Sequence, residues 1–209
     1  MSKQQIQDYS QAIKIPFLVH FTRASNLPSI LEHGLYPMGR IAEIEVTPAI
    51  NDELRLDGHL DGLSLSIAFP NFRMFYKLRK DNPDVEWVVL AVDPSVLWLK
   101  DCAFCRHNAA DAKIIYEPLE ELKKPEALVG MFEAIDGEQS REDQKLKSYD
   151  PTDGQAEVLV FDVIEPNLIG AAVFENTATR DAYQGLLGDR KIYVHRAGKG
   201  LFASRSYVR

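Results

Sequence analysis

The chain has 209 residues, 45% of them hydrophobic and 26% charged, and carries a formal net charge of −7. These values describe a globular protein with apolar side chains enough for a full core, most simply one domain over residues 1–209. They exclude a protein that coats nucleic acid by bulk charge, and no apolar run approaches the roughly 18 residues that a membrane-spanning helix needs. The N-terminal Met-Ser-Lys-Gln-Gln-Ile lacks a signal-peptide core, so a cytoplasmic location is expected. The charge is uneven: from Arg190 to the end there are six Lys or Arg and no acid, whereas Glu133 to Glu157 is predominantly acidic.

Residues 3–13 read as a polar helix. Pro16 then introduces Phe17-Leu18-Val19-His20-Phe21-Thr22, a β-rich run that sets His20 and Thr22 on one face of a strand. Ser25 or Asn26 can cap a helix at Leu27, Pro28 suits its first turn and Gly34 ends it. From Tyr36 to Leu60, Pro37, Gly39, Pro48 and Gly58 break any period. A long functional loop is expected there, with a helical turn near Ile50 to Leu56. Leu63-Ser64-Leu65-Ser66-Ile67 alternates apolar and hydroxyl residues and predicts a half-buried strand. Pro70 then starts a helix over Asn71 to Lys80.

Trp87 to Asp93 is continuously apolar and predicts a central strand; Ala156 to Val163, Ile169 to Phe174 and Lys191 to His195 predict three more. Pro118 to Phe132 reads as a helix that Pro125 must kink or split, and Thr177 to Leu187 as a capped helix. Strands and helices do not alternate in βαβ fashion, so the fold class is α+β with a mixed or antiparallel sheet. Cys102-Ala-Phe-Cys105, with His107 beyond, has the form of half a zinc site. No second pair stands at matching spacing, and two reduced, partly buried thiols without metal are expected. Ala134 to Gly154 is polar and predicts a mobile loop feeding into Gln155 and Glu157.

Gln155-Ala-Glu157 sets an amide and a carboxylate two residues apart at the mouth of a predicted strand, where alternation would point both the same way. Cleaving an N-glycosidic bond to a good leaving group, such as nicotinamide in NAD, builds positive charge on the ribose. One carboxylate can hold the 2′-hydroxyl, stabilise that charge and take a proton from the incoming nucleophile. Glu157 is the candidate, and a nucleotide-sugar transferase is the class it suggests. A strand-end glutamate in solvent is the plain alternative, as a strand-face histidine is for His20 and a solvent face for Ser64 and Ser66. Their joint order, His, Ser-x-Ser, Gln-x-Glu, favours the site.

His20-Phe21-Thr22, Asn26-Leu27-Pro28-Ser29-Ile30-Leu31 with Gly34-Leu35, Pro70 with Met74 and Tyr76, and Gln155-Ala156-Glu157-Val158-Leu159-Val160 together resemble the DarT-type toxins, which transfer ADP-ribose from NAD to bases in single-stranded DNA. The resemblance implies the ADP-ribosyltransferase fold, split and bent mixed or antiparallel sheets with short helices around an NAD cleft. It implies Glu157 as catalytic, with Arg55 assisting at the phosphates. His20, Thr22 and Asn26 match NAD contacts, and Ser64, Ser66 and Gln155 join them as cofactor-binding candidates. NAD is thus a substrate, single-stranded DNA a partner, and an antitoxin with an ADP-ribosyl-hydrolysing macrodomain a second partner. Where many relatives carry Pro-Arg-Ser-Pro-Met-Leu-Tyr, this chain has Pro70-Asn71-Phe72-Arg73-Met74-Phe75-Tyr76. The departure suggests a divergent subgroup and leans the acceptor base from thymine toward guanine.

Phe72, Arg73, Phe75, Tyr76, Lys77, Arg79 and Lys80 interleave aromatics with cations, the combination that stacks bases and neutralises phosphates of a single strand. On a helix, however, Phe72, Phe75 and Tyr76 share a face and compete for the core. Arg190, Lys191 and Arg196, with Lys199, Arg205 and Arg209, form a second basic candidate. Transfer to RNA or protein, and a non-catalytic NAD-fold module, remain the alternative functions.

Overall fold

The computed structural model describes residues 2–44 and 61–208. Arg55, the expected helical turn around it and Arg209 lie outside the described residues. Among the described residues, seven strands form one sheet: β1 (Leu18–Arg23), β2 (Leu63–Ile67), β3 (Trp87–Val92), β4 (Cys102–Cys105), β5 (Glu157–Val160), β6 (Ile169–Phe174) and β7 (Lys191–Val194). Their order is β4-β5-β2-β1-β3-β6-β7, with β6 and β7 parallel and every other neighbouring pair antiparallel. The mixed sheet is the α+β architecture expected.

The helices are α1 (Ser2–Ala12), α2 (Leu27–His33), α3 (Phe72–Asp81), α4 (Val96–Leu99), α5 (Leu119–Leu122), α6 (Pro125–Gly130) and α7 (Thr177–Tyr183). Pro125 splits the helix predicted over 118–132: it holds Lys124 in an extended conformation, φ −78° and ψ 154°, and restarts the chain as α6.

Strand alternation divides the core. Leu18, Val88, Leu90, Val92, Ala172 and Phe174 face one side, where Ile6 of α1, Leu27 and Ile30 of α2, Val96 and Leu97 of α4 and Leu128 of α6 cover them. Val19, Val89 and Val173 face the other side and pack with Phe75 of α3 and Phe202. A third cluster, Ala103, Cys105, Leu159, Ala109, Ile114 and Leu122, covers the β4–β5 end of that second face.

β4 departs from the expectation for the Cys-Ala-Phe-Cys motif. It is a buried edge strand, and three residues along a strand reverse the side chain: Cys102 joins the main core while Cys105 joins the cluster around Leu159. Both thiols are free and fully buried rather than partly so. Facing opposite sides of the sheet, they do not converge on a metal ion, and no group of three or more His, Cys, Asp or Glu able to hold one occurs among the described residues. The 134–154 segment has no helix or strand, as predicted, yet it is organised around Arg141. That guanidinium donates to the Asp150 carbonyl at 2.8 Å, the Lys147 carbonyl at 2.9 Å and Thr152 Oγ1 at 2.9 Å.

Candidate active site

β1 pairs with β3 along six residues but with β2 along two, Leu18 with Ile67 and Val19 with Ser66. Beyond Val19 that ladder ends, and the His20 side chain spans from β1 to β2: Nδ1 lies 3.0 Å from the Ser64 carbonyl oxygen. A carbonyl can only accept, so Nδ1 carries the proton. Burial pushes the imidazole pKa below its ordinary value, against the smaller opposing effect of that hydrogen bond. The ring is therefore neutral at pH 7, with Nε2 an acceptor.

On the far side of β2, Glu157 heads β5. Ser64 stands opposite Leu159, so the two share a face, and Glu157, two residues earlier, shares it too. Ser66 reaches the same face through its pairing with Val19. Ser64, Ser66 and Glu157 thus form a polar strip between the cluster around Phe75 and the cluster around Ile114.

The Glu157 side chain is 6% exposed, and its carboxylate is held by the turn after β4. Asn108 Nδ2 donates to Oε1 at 3.0 Å and the Ala109 backbone N–H to Oε2 at 3.1 Å. A buried carboxylate stays ionised only with such donors. Asn108 also braces its own turn, Oδ1 accepting from the Ala110 N–H at 3.0 Å. Next to it, His107 Nδ1 meets Asp153 Oδ2 at 2.8 Å, and Asp153 Oδ1 accepts from the Gln155 N–H at 2.8 Å. The turns before and after the β4–β5 pair therefore lock the head of β5 from both sides. From further away, Arg205 donates to the Pro151 and Thr152 carbonyls at 2.6 and 3.0 Å.

Gln155 belongs to this turn and not to β5, which begins at Glu157, so strand alternation does not align the two side chains. Thr22 Oγ1 accepts from Asn26 Nδ2 at 3.0 Å, and both side chains are buried, fixing the passage from β1 into α2. Ser66 Oγ accepts from the Asn71 N–H at 3.2 Å, and Asn71 in turn caps α3 by accepting from the Met74 N–H. Thr22 and Ser66 thus fix the passages out of β1 and β2. Asn108 and Asp153 are not singled out in the sequence, and His107 stands out there only as a possible metal ligand; the short polar residues after the Cys-Ala-Phe-Cys run and the Asp-Gly turn before Gln155 are the traces these roles leave in the sequence.

Of the cations, Arg73, Lys77 and Lys80 on α3 are exposed, as are Lys191 and Arg196. Two others have internal duties. Arg79 pairs with Glu175, donates to the Phe202 carbonyl and lies against the Phe75 and Phe202 rings at 5.2 and 5.0 Å. Arg190 donates to the carbonyls of Ile169, Leu187 and Pro166.

A split sheet with a neutral histidine on its first strand, a Ser-x-Ser second strand and a buried, clamped glutamate heading the fifth has the form of an ADP-ribosyltransferase. The family model described as ssDNA thymidine ADP-ribosyltransferase, DarT, matches residues 19–199, and the chain belongs to the DarT family. Among solved structures it is similar to DarT from Thermus sp. 2.9 in complex with NAD+, at 15% identity and a TM-score of 0.55, over 88% of this chain and 96% of that one. The same Thermus protein in complex with ADP-ribosylated ssDNA matches at 13% identity and a TM-score of 0.55, over 88% and 95%. DarTG from Thermosipho africanus in complex with ADP-ribose matches at 18% identity and a TM-score of 0.57, over 87% of this chain and 50% of that one, so the chain spans half the length of that protein. At these identities the likeness is one of fold. No curated protein matches the chain in sequence.

Proposed function

We propose that the protein transfers ADP-ribose from NAD to a base in single-stranded DNA. The observation that carries this reading is Glu157, buried, held by two donors and sharing a face with Ser64 and Ser66. In the reaction the bond between ribose C1′ and the nicotinamide nitrogen breaks, nicotinamide leaves with the electron pair, and the ribose becomes cationic. The Glu157 carboxylate stabilises that cation. A ring or exocyclic atom of the acceptor base forms the new bond to C1′, and its proton passes to Glu157. Neutral His20 accepts from a ribose hydroxyl through Nε2. Ser64, Asn26 and Gln155 contribute to NAD binding, with Thr22 and Ser66 shaping its walls, and Arg55 acts at the phosphates. Arg73, Lys77, Lys80, Lys191 and Arg196 meet the DNA backbone.

The family description and the Thermus complexes with NAD+ and with ADP-ribosylated ssDNA support the substrate pair. That description favours thymine as acceptor, while the divergent segment from Pro70 to Tyr76 favours guanine. The biological role proposed is that of a cytoplasmic toxin, in a toxin-antitoxin or phage-defence pair, restrained by a macrodomain antitoxin that removes the modification. The test is incubation with labelled NAD and, separately, single-stranded DNA, RNA and protein, followed by mass spectrometry of released nucleosides. Label in a DNA nucleoside is expected and identifies the base; label confined to RNA or protein overturns the reading.

A further inference from the structure

α3 and the C-terminal segment enclose a groove of about 450 Å³ on the sheet face that Phe75 and Phe202 cover. Phe72 and Tyr76, one helical turn apart with ring centroids separated by 5.6 Å, form one wall. Lys199, Phe202 and Tyr207 form the other. Tyr76 is 52% exposed and Tyr207 84% exposed, far more than aromatic rings placed for packing. The lining contains no acid in a chain of net charge −7; of its two cations Arg79 is already paired with Glu175 and Lys199 is exposed, and Arg73, Lys77, Lys80 and Arg196 stand exposed on the two segments that flank it. One wall of the groove is tied to the segment that leads into Glu157. Ser204 lines the groove, and the next residue, Arg205, grips the Pro151 and Thr152 carbonyls just before Glu157. Most of its C-terminal wall lies past residue 199, where the family match ends.

We propose that this groove is a second subsite for single-stranded DNA, which stacks bases flanking the acceptor on Tyr76 and Tyr207 and holds their phosphates with Lys199 and the neighbouring cations. Exposed aromatic faces supply sequence-tolerant stacking, and cations along the rim follow a backbone. The proposal rests on the reading of the protein as a DNA-modifying enzyme and extends it to how the strand is held outside the reacting centre.

The experiment compares the parent with Tyr207→Ala, Tyr76→Ala and Lys199→Glu, all at exposed positions, by fluorescence anisotropy of a labelled 12-nucleotide oligonucleotide (length about that of single-strand sites) and by steady-state transfer. Each aromatic variant is expected to weaken DNA binding about tenfold and to raise the KM for the oligonucleotide, with the KM for NAD in DNA-free hydrolysis unchanged. Unchanged DNA affinity overturns the proposal, as does a raised KM for NAD, which would assign the groove to the dinucleotide. If the parent binds DNA through these residues yet modifies none, the proposed activity fails while the subsite stands. If the parent modifies DNA and the variants bind it equally well, the subsite alone fails.

Discussion

Asn108 and Glu157 are joined by a 3.0 Å hydrogen bond between the ends of β4 and β5, so the candidate catalytic carboxylate is aimed by an amide from the neighbouring turn. A hydrogen bond to a buried charge contributes about 1.5–3 kcal/mol. Asn108→Ala is therefore expected to lower kcat about tenfold or more while changing the KM for NAD little. Asn108→Asp sets a second carboxylate beside Glu157, favouring the protonated forms. The acidic limb of its pH–rate profile should move to higher pH, which steady-state assays across pH 4–8 (roughly the range of shifted carboxylates) check.

Glu157→Gln keeps the side-chain volume and can retain one hydrogen bond, so folding should survive, as judged by circular dichroism and thermal melting. Removing the charge that faces a cationic ribose should cost about 10²–10³ in transfer rate. A variant that transfers label as fast as the parent would remove Glu157 from the chemistry.

Burial lowers the pKa of His20, and likewise of His195. Each ring binds a proton more readily in the unfolded chain than in the folded one. Their contribution to stability is therefore complete above the unfolded value of about 6.5 and is lost as pH falls below it toward the folded value. Melting temperatures measured from pH 7.5 to 5 should drop more steeply for the parent than for His20→Gln (the range spans about 1 unit either side of the unfolded value). Equal slopes would show that His20 takes no part in the acid response.

Burial pushes the Cys102 thiol up to about 12, with Asp101 adding to the effect, and Cys105 is fully buried as well. Neither thiol should react with an aromatic disulfide reagent in the native protein. Both should react on unfolding in guanidinium. Rapid labelling of the native chain at either position would contradict the β4 strand assignment.

Arg79 and Lys77 stand two residues apart on α3, on roughly opposite faces, and should behave oppositely. Arg79 is inserted between two rings and an acid partner, so Arg79→Ala is expected to cost about 2–4 kcal/mol in urea denaturation. Lys77, exposed and no closer than 4.0 Å to Asp81, should leave stability within about 0.5 kcal/mol when replaced by alanine and lower DNA affinity instead. A stable Arg79→Ala variant would refute the internal role.

The strands that alternate or run continuously apolar were legible before any coordinates. β1, β2, β3, β6 and β7 fall where their patterns put them, because burial on one or two faces writes a period into the chain. β4 was not legible, since cysteine at both ends of a four-residue apolar run reads equally as a ligand pair. Glu157 was legible as a candidate through its place before an apolar strand and its resemblance to a known motif. Its holders were not: Asn108 and Ala109 are 49 and 48 residues earlier, and nothing local marks a hydrogen bond brought about by strand pairing. Arg79 and Arg190 were misplaced with the surface cations because composition cannot tell a solvated guanidinium from one spent on carbonyls.

The two-pair contact between β1 and β2 makes the middle of the sheet its weakest mechanical link, in contrast to the six-pair zipper between β1 and β3. A dinucleotide bound across that seam, as the proposed function has it, would touch both halves at once and act as a splint. Ligand binding should therefore be felt less as local tightening around one side chain than as a gain in the cooperativity of the whole sheet: amide exchange on β2 and β5 would slow together with that on β1, though no hydrogen bond of their own ladders has changed.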